Sequence, residues 1–151
     1  MSTRFYNGMS VVEFKVKPKW GRYFFKVLVF DSKIEMWEHN TEIDRNDGVA
    51  DGFSDTFGAI CKTYEIVRFG KGGKEIRKPE IGTILFAKTQ LGAGTIAHEI
   101  GHAAFHYDRL INGNIKAEYG EDIGEAEERV LYLLAEMVSD CVNKMYKFEI
   151  L

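Results

Sequence analysis

The 151-residue chain predicts an α+β fold, with an antiparallel β-sheet in the N-terminal half and two long helices in the C-terminal half. Three observations carry this. Apolar and polar residues alternate over Val12 to Lys17, as in a strand with one wet face. Apolar residues recur at helical spacing from about Gly124 to Tyr146. Between them lies His98-Glu99-Ile100-Gly101-His102, whose two histidines, four residues apart, lie on one face a single turn apart when the segment is helical. With 45% hydrophobic and 28% charged residues, there is enough apolar material for one domain over 1–151.

The first forty residues read as a meander. A strand near Val11 to Lys17 meets a turn at Pro18 to Gly21, and a second strand runs from Arg22 to Phe30. A short strand follows from Ile34 to Glu38, after Asp31-Ser32-Lys33. From Asn40 to Asp55 the chain is polar. Its acids suggest a calcium loop, but counted from Asp44 the glycine falls at position five, not six, and position twelve is Asp55, not glutamate, so a surface loop is expected. Phe57 to Phe69 carries Phe57, Ile60, Cys61 and Tyr64 at helical spacing and then turns β-like, which predicts a helix passing into a strand. Gly70-Lys71-Gly72-Gly73-Lys74 lacks the spacing of a phosphate-binding loop and predicts a hairpin turn. Ile81 to Ala87 is a strand ahead of the histidine helix, and an open edge on it would let an extended peptide pair with its backbone.

His98 and His102 lie on one helix face and can both present a ring nitrogen to one zinc ion, while Glu99 lies about a quarter-turn away as a general base. A zinc ion with three protein ligands keeps a position for water and makes that water acidic near neutral pH. Gly92 and Gly94 loosen the start of this helix, Thr95 can cap it, and Gly101 predicts that another backbone packs closely there. His106 continues the histidine row but lies too far along the helix to join the same ion, so a surface or supporting role is expected. No residue is assigned to polarise a substrate carbonyl from among Tyr107, Tyr119 and Tyr132.

The third ligand is sought on the last helix. Val130, Leu131, Leu134, Met137, Val138, Cys141 and Met145 form its apolar stripe; Glu127 falls near the middle, Glu128 toward the edge and Glu125 nearly opposite. A carboxylate on a buried face needs a cation, which favours Glu127, with Glu128 as the alternative.

The histidine helix, the Glu127-Glu128 pair with nearby Tyr132, and Leu133-Leu134-Ala135-Glu136-Met137 resemble the ImmA/IrrE metallopeptidases and small phage-encoded zinc peptidases over about residues 81 to 145. The resemblance implies a zincin-like domain with Zn2+ on His98 and His102, Glu99 as general base and Glu127 as third ligand. The expected function is zinc-dependent hydrolysis of a peptide bond in a protein or peptide substrate. The alternative is a zinc-stabilised phage or mobile-element factor that binds a host protein without cleaving it.

Composition narrows the partners. A formal charge of −3 and a pI near 5.8 speak against a general nucleic-acid binder. Lys15, Lys17, Lys19, Arg22 and Lys26, interleaved with Trp20, Tyr23, Phe24 and Phe25, look like a stacking surface for single strands, but the alternation beside them reads as a solvated sheet face. No nucleic acid and no membrane is therefore expected. Apolar runs are too short to span a bilayer and no secretory pattern opens the chain, which predicts a cytoplasmic protein. Cys61 and Cys141 lack metal or disulfide spacing and read as buried thiols.

Overall fold

A computed structural model describes residues 2–6, 8–46, 58–113 and 123–151. The elements are β1 (Ser2–Tyr6), β2 (Met9–Val16), β3 (Phe24–Phe30), α1 (Lys33–Asn46), β4 (Ala59–Thr63), β5 (Val67–Phe69), β6 (Glu75–Arg77), β7 (Glu80–Ala87), α2 (Ala93–Asn112) and α3 (Ile123–Lys147). The fold is α+β, as expected. Five strands form one sheet in the order β1-β2-β3-β7-β4, and β5 pairs with β6 in a separate hairpin.

The sheet is mixed, which corrects the expectation of an antiparallel one: β3 and β7 run parallel, in register from Phe25–Gly82 to Phe30–Ala87. The reason is burial. Strand β7 is buried at every position from Ile81 to Ala87: α2 and α3 lie over one face, and on the other α1 covers Leu85 and Ala87 while the Tyr64 hydroxyl lies 2.7 Å from that of Thr83. A strand covered on both sides reads as a continuous apolar run, and alternation cannot assign its partner. On one face, Phe25, Val27 and Ile84 pack with Ile100 of α2 and Met137 and Cys141 of α3. On the other, Leu28, Phe30, Leu85 and Ala87 pack with Met36 of α1.

Two further expectations are corrected. Residues 34–38 are not a strand but the start of α1, because Ser32 caps the helix: its hydroxyl accepts from the Glu35 N–H at 3.3 Å and its carbonyl from the Met36 N–H at 3.2 Å. Asn40 to Asn46 continue this helix, so Asp44 and Asn46 do not begin a loop; 47–55 lies outside the described residues. The helix expected at the start of 57–69 is likewise absent from its described part, where β4 pairs antiparallel with β7. Phe57 lies outside the described residues. The hairpin turn at 70–74 is present: the Gly70 N–H donates to the Lys74 carbonyl at 2.7 Å, and Gly72 and Gly73 hold φ of 75° and 77°, which suits glycine.

Among the described residues no helix is long and apolar enough to cross a membrane.

Candidate metal centre

Strand β7 ends at Ala87, and a short turn carries the chain into α2. Gly92 is the capping residue, while the Thr95 hydroxyl donates to the Gln90 carbonyl at 3.3 Å instead of capping. The residues of α2 that face the protein are Ile96, Glu99, Ile100, Ala103, Ala104, Tyr107 and Asp108. That stripe fixes the rotation of the helix. Glu99 falls within it, and His98 and His102 fall on the exposed side.

The two imidazoles converge. Their Nε2 atoms are 3.2 Å apart, with the rings nearly perpendicular at 85°. Two nitrogens at about 2.0–2.1 Å from a tetrahedral zinc stand roughly 3.3 Å apart, so the pair fits two of the ligand positions. Glu99 is 8% exposed. Burial raises its pKa above the ordinary 4.5, against the pull of His98 and His102 in the opposite direction. It also lies close enough to Cys61 on β4 for its charge to add to burial in pushing that thiol up to about 12. Cys141 is buried and likewise pushed up to about 12, chiefly by burial.

The carboxylates expected as third ligand are not gathered with the pair. Glu127 and Glu128 are both exposed, and Ala126, 2% exposed, occupies the buried stripe where Glu127 was expected. Among the described residues no three His, Cys, Asp or Glu side chains group to hold a metal ion. One cause is rotation, since the buried stripe of α3 runs through Ala126 and not Glu127; the level of α3 against α2 is another. Arg129 Nε donates to Asp108 Oδ1 at 2.8 Å and Nη2 to Oδ2 at 3.2 Å, coupling the start of α3 to the last turns of α2. Asp108 is six residues beyond His102, about 9 Å along the helix axis, and Glu127 and Glu128 immediately precede Arg129. Periodicity identifies the side of a helix, not its level against a neighbour, so the Asp108–Arg129 lock had no signature in the expected stripe.

His106 is half-buried. Its Nε2 lies 3.4 Å from the Tyr64 carbonyl and its ring meets Phe25 edge-on, so it supports the end of β4. Burial, helped by the Arg109 charge, lowers its pKa from 6.5, more than the backbone contacts at Tyr64 and Ile81 and the Glu65 charge raise it. A depressed histidine contributes stability that is complete above its unfolded value and lost as pH falls through the folded one. Thermal melts should therefore show the parent losing stability below about pH 6.5 relative to His106→Gln; parallel pH profiles for the two would contradict this assignment. Tyr107 is buried and Tyr132 exposed, and Tyr119 lies outside the described residues.

Gly101 departs from expectation. A Cβ built there meets nothing within 4 Å, so no described backbone packs against it. The helix is open between the two imidazoles. Gly101→Ala should therefore stabilise the protein by about 1 kcal/mol, a rise of roughly 2–4 °C in Tm for a chain of this size. A fall in Tm would reveal a contact over that face.

No family model, curated protein or solved structure matches the chain.

Proposed function

We propose that the chain is a zinc-dependent peptidase in which His98 and His102 hold the ion and Glu99 is the general base. The observation that carries this reading is the 3.2 Å approach of the two Nε2 atoms with a buried carboxylate on the adjoining residue. The likeness of the histidine helix to the ImmA/IrrE metallopeptidases supports it. Bound there, zinc would polarise a scissile carbonyl and acidify a water.

The chain's own residues supply the rest. Glu99, made a stronger base by burial, takes the proton from the attacking water and returns it to the leaving amine. Substrate backbone pairs along β4. The expected strand, Ile81 to Ala87, lies between β3 and β4 and has no open edge, whereas β4 ends the sheet beside α2. A carboxylate has to complete the ligand set. Glu127 is kept for that role, with Glu128 as the alternative, since neither is engaged by a hydrogen bond or ion pair among the described residues.

The separation of both glutamates from the histidine pair favours a second reading, a zinc-stabilised interaction protein that does not cleave its partner. Metal analysis of protein purified in the presence of zinc tests the centre. One equivalent is expected in the parent and its loss in His102→Ala, with loss confined to Glu127→Ala or Glu128→Ala naming the third ligand. Full zinc in the double variant His98→Ala/His102→Ala would overturn the centre. Zinc retained in both glutamate variants would remove both acids from the ligand set.

A further inference from the structure

Half of the chain's twenty lysines and arginines fall in two short segments, five in 15–26 and five in 68–78. The first segment contains no acid and the second only Glu75. With 20 cations against 23 acids overall, the remaining residues carry a formal charge of −12. The fold joins the two segments. The Arg22 guanidinium donates to the Arg77 carbonyl at 3.2 Å, and the Phe24 N–H donates to the Pro79 carbonyl at 2.9 Å, so the β2–β3 turn and the base of the β5–β6 hairpin form one surface.

The surface continues onto the sheet. Lys15 pairs with Lys26, Lys26 with Thr83 and Thr83 with Lys62, which sets three lysines in one row across four strands, about 14 Å long. This row is on the face that carries α1, opposite α2 and α3. There α1 covers the end formed by Leu28, Phe30, Leu85 and Ala87; along the row Lys15 is exposed, Lys26 and Lys62 are half-buried, and Thr83 is buried with its hydroxyl 2.7 Å from that of Tyr64. Of the acids on the described strands of this face, Glu80 accepts a hydrogen bond from Tyr64, and Glu13 is 9% exposed.

Aromatic rings stand among these cations. Trp20 is 88% exposed and Phe69 is 74% exposed, with Lys19 over the Trp20 ring at 5.4 Å and Lys15 over the Phe24 ring at 4.3 Å. Rings so exposed contribute little to the core, but they offer flat apolar faces beside positive charge. A single-stranded nucleic acid supplies the complement, phosphates for the lysines and unstacked bases for the rings. A duplex keeps its base faces within the stack, and an acidic polypeptide lacks a series of flat rings.

We propose that the β2–β3 turn, the β5–β6 hairpin and the lysine row beside them bind single-stranded nucleic acid. The surface is independent of the histidine pair, so it stands whether or not the peptidase reading does. It overrides the expectation from net charge because the fold gathers cations that the average over the whole chain hides.

The test titrates the full chain into a labelled 20-nucleotide oligo-dT at 50 and 200 mM salt, followed by fluorescence anisotropy. Binding is expected to weaken about 100-fold between the two salts, as for roughly five phosphate contacts. Trp20→Ala and Phe69→Ala should each weaken binding about ten-fold while leaving the salt slope intact. Lys71→Gln/Lys74→Gln should reduce the slope by about 1.4, two single-strand phosphate contacts. Glu99→Gln, on the opposite side of the sheet, should bind like the parent. No binding at 50 mM salt would overturn the proposal, as would a duplex or polyglutamate binding as tightly as oligo-dT. So would aromatic variants of parental affinity whose far-ultraviolet circular dichroism shows them folded.

Discussion

Glu99→Gln is expected to lower peptide-bond hydrolysis by about 10²- to 10⁴-fold while leaving zinc content unchanged. Glutamine keeps the shape of the side chain but cannot accept the proton from the attacking water. His98 and His102 sit on the exposed side of α2 and Glu99 on the buried side, so the substitution leaves the imidazole pair untouched. The assay is cleavage of an unfolded protein such as casein by zinc-loaded protein. Parental turnover in the variant would remove Glu99 from the mechanism. A biological effect that survives the loss of turnover would favour the interaction protein.

The same substitution should raise stability at neutral pH. The Glu99 carboxyl is raised above 4.5 by burial, although both histidines pull it down. A raised carboxyl favours the folded state at pH below its unfolded value, and that contribution disappears as pH climbs through the folded value. At pH 7, above the unfolded value, the carboxyl therefore burdens the metal-free fold, and the neutral amide removes the burden. Melts of metal-free protein should show the variant above the parent at pH 7 and the gap closing as pH approaches 4, where the parental carboxyl is also neutral. A gain in stability joined to a loss of turnover is the pattern of a residue retained for chemistry and not for packing.

The parts of this protein that were legible in its sequence are those that depend on short-range geometry. Four-residue spacing alone brings the His98 and His102 rings together on α2, and the alternation in β2 and the stripe of α3 define their elements without reference to the rest of the chain. What was hidden depends on neighbours. Ile34 and Met36 alternate with Lys33 and Glu35 as in a strand, yet the Ser32 cap commits the segment to a helix. The apolar run in β7 does not say that β3 lies parallel on one side and β4 antiparallel on the other. That pairing moves the open edge from β7 to β4 and with it the place where a peptide could align. The expected burial of Glu127 was lost the same way: seven residues before Leu134, it shares that residue's side of the helix, but Leu134 is itself only partly buried, and the stripe centre passes through Ala126, Met137 and Cys141.

Arg129→Ala is expected to cost about 3 kcal/mol, the largest effect of a single truncation between α2 and α3. Asp108 is 1% exposed, and its carboxylate receives two bonds from Arg129 and one, at 2.9 Å, from Asn112. Truncating the arginine leaves a buried negative charge with one neutral donor among the described residues, and the desolvation of that charge is then poorly compensated. For a chain of this length the loss corresponds to a fall of roughly 6–12 °C in Tm. Asp108→Asn should cost less, because the amide can still accept from Arg129 and carries no charge to desolvate; the difference separates the ionic contribution from the loss of packing. Since Asp108–Arg129 sets the level of α3 against α2, Arg129→Ala also frees the first turns of α3, where Glu127 and Glu128 lie. Zinc affinity measured on the still-folded variant at low temperature then bears on the third ligand: if either glutamate joins the imidazole pair, affinity changes with the lock removed. Affinity equal to the parent would exclude both acids, and a loss of less than about 1 kcal/mol on unfolding would show that water already reaches Asp108.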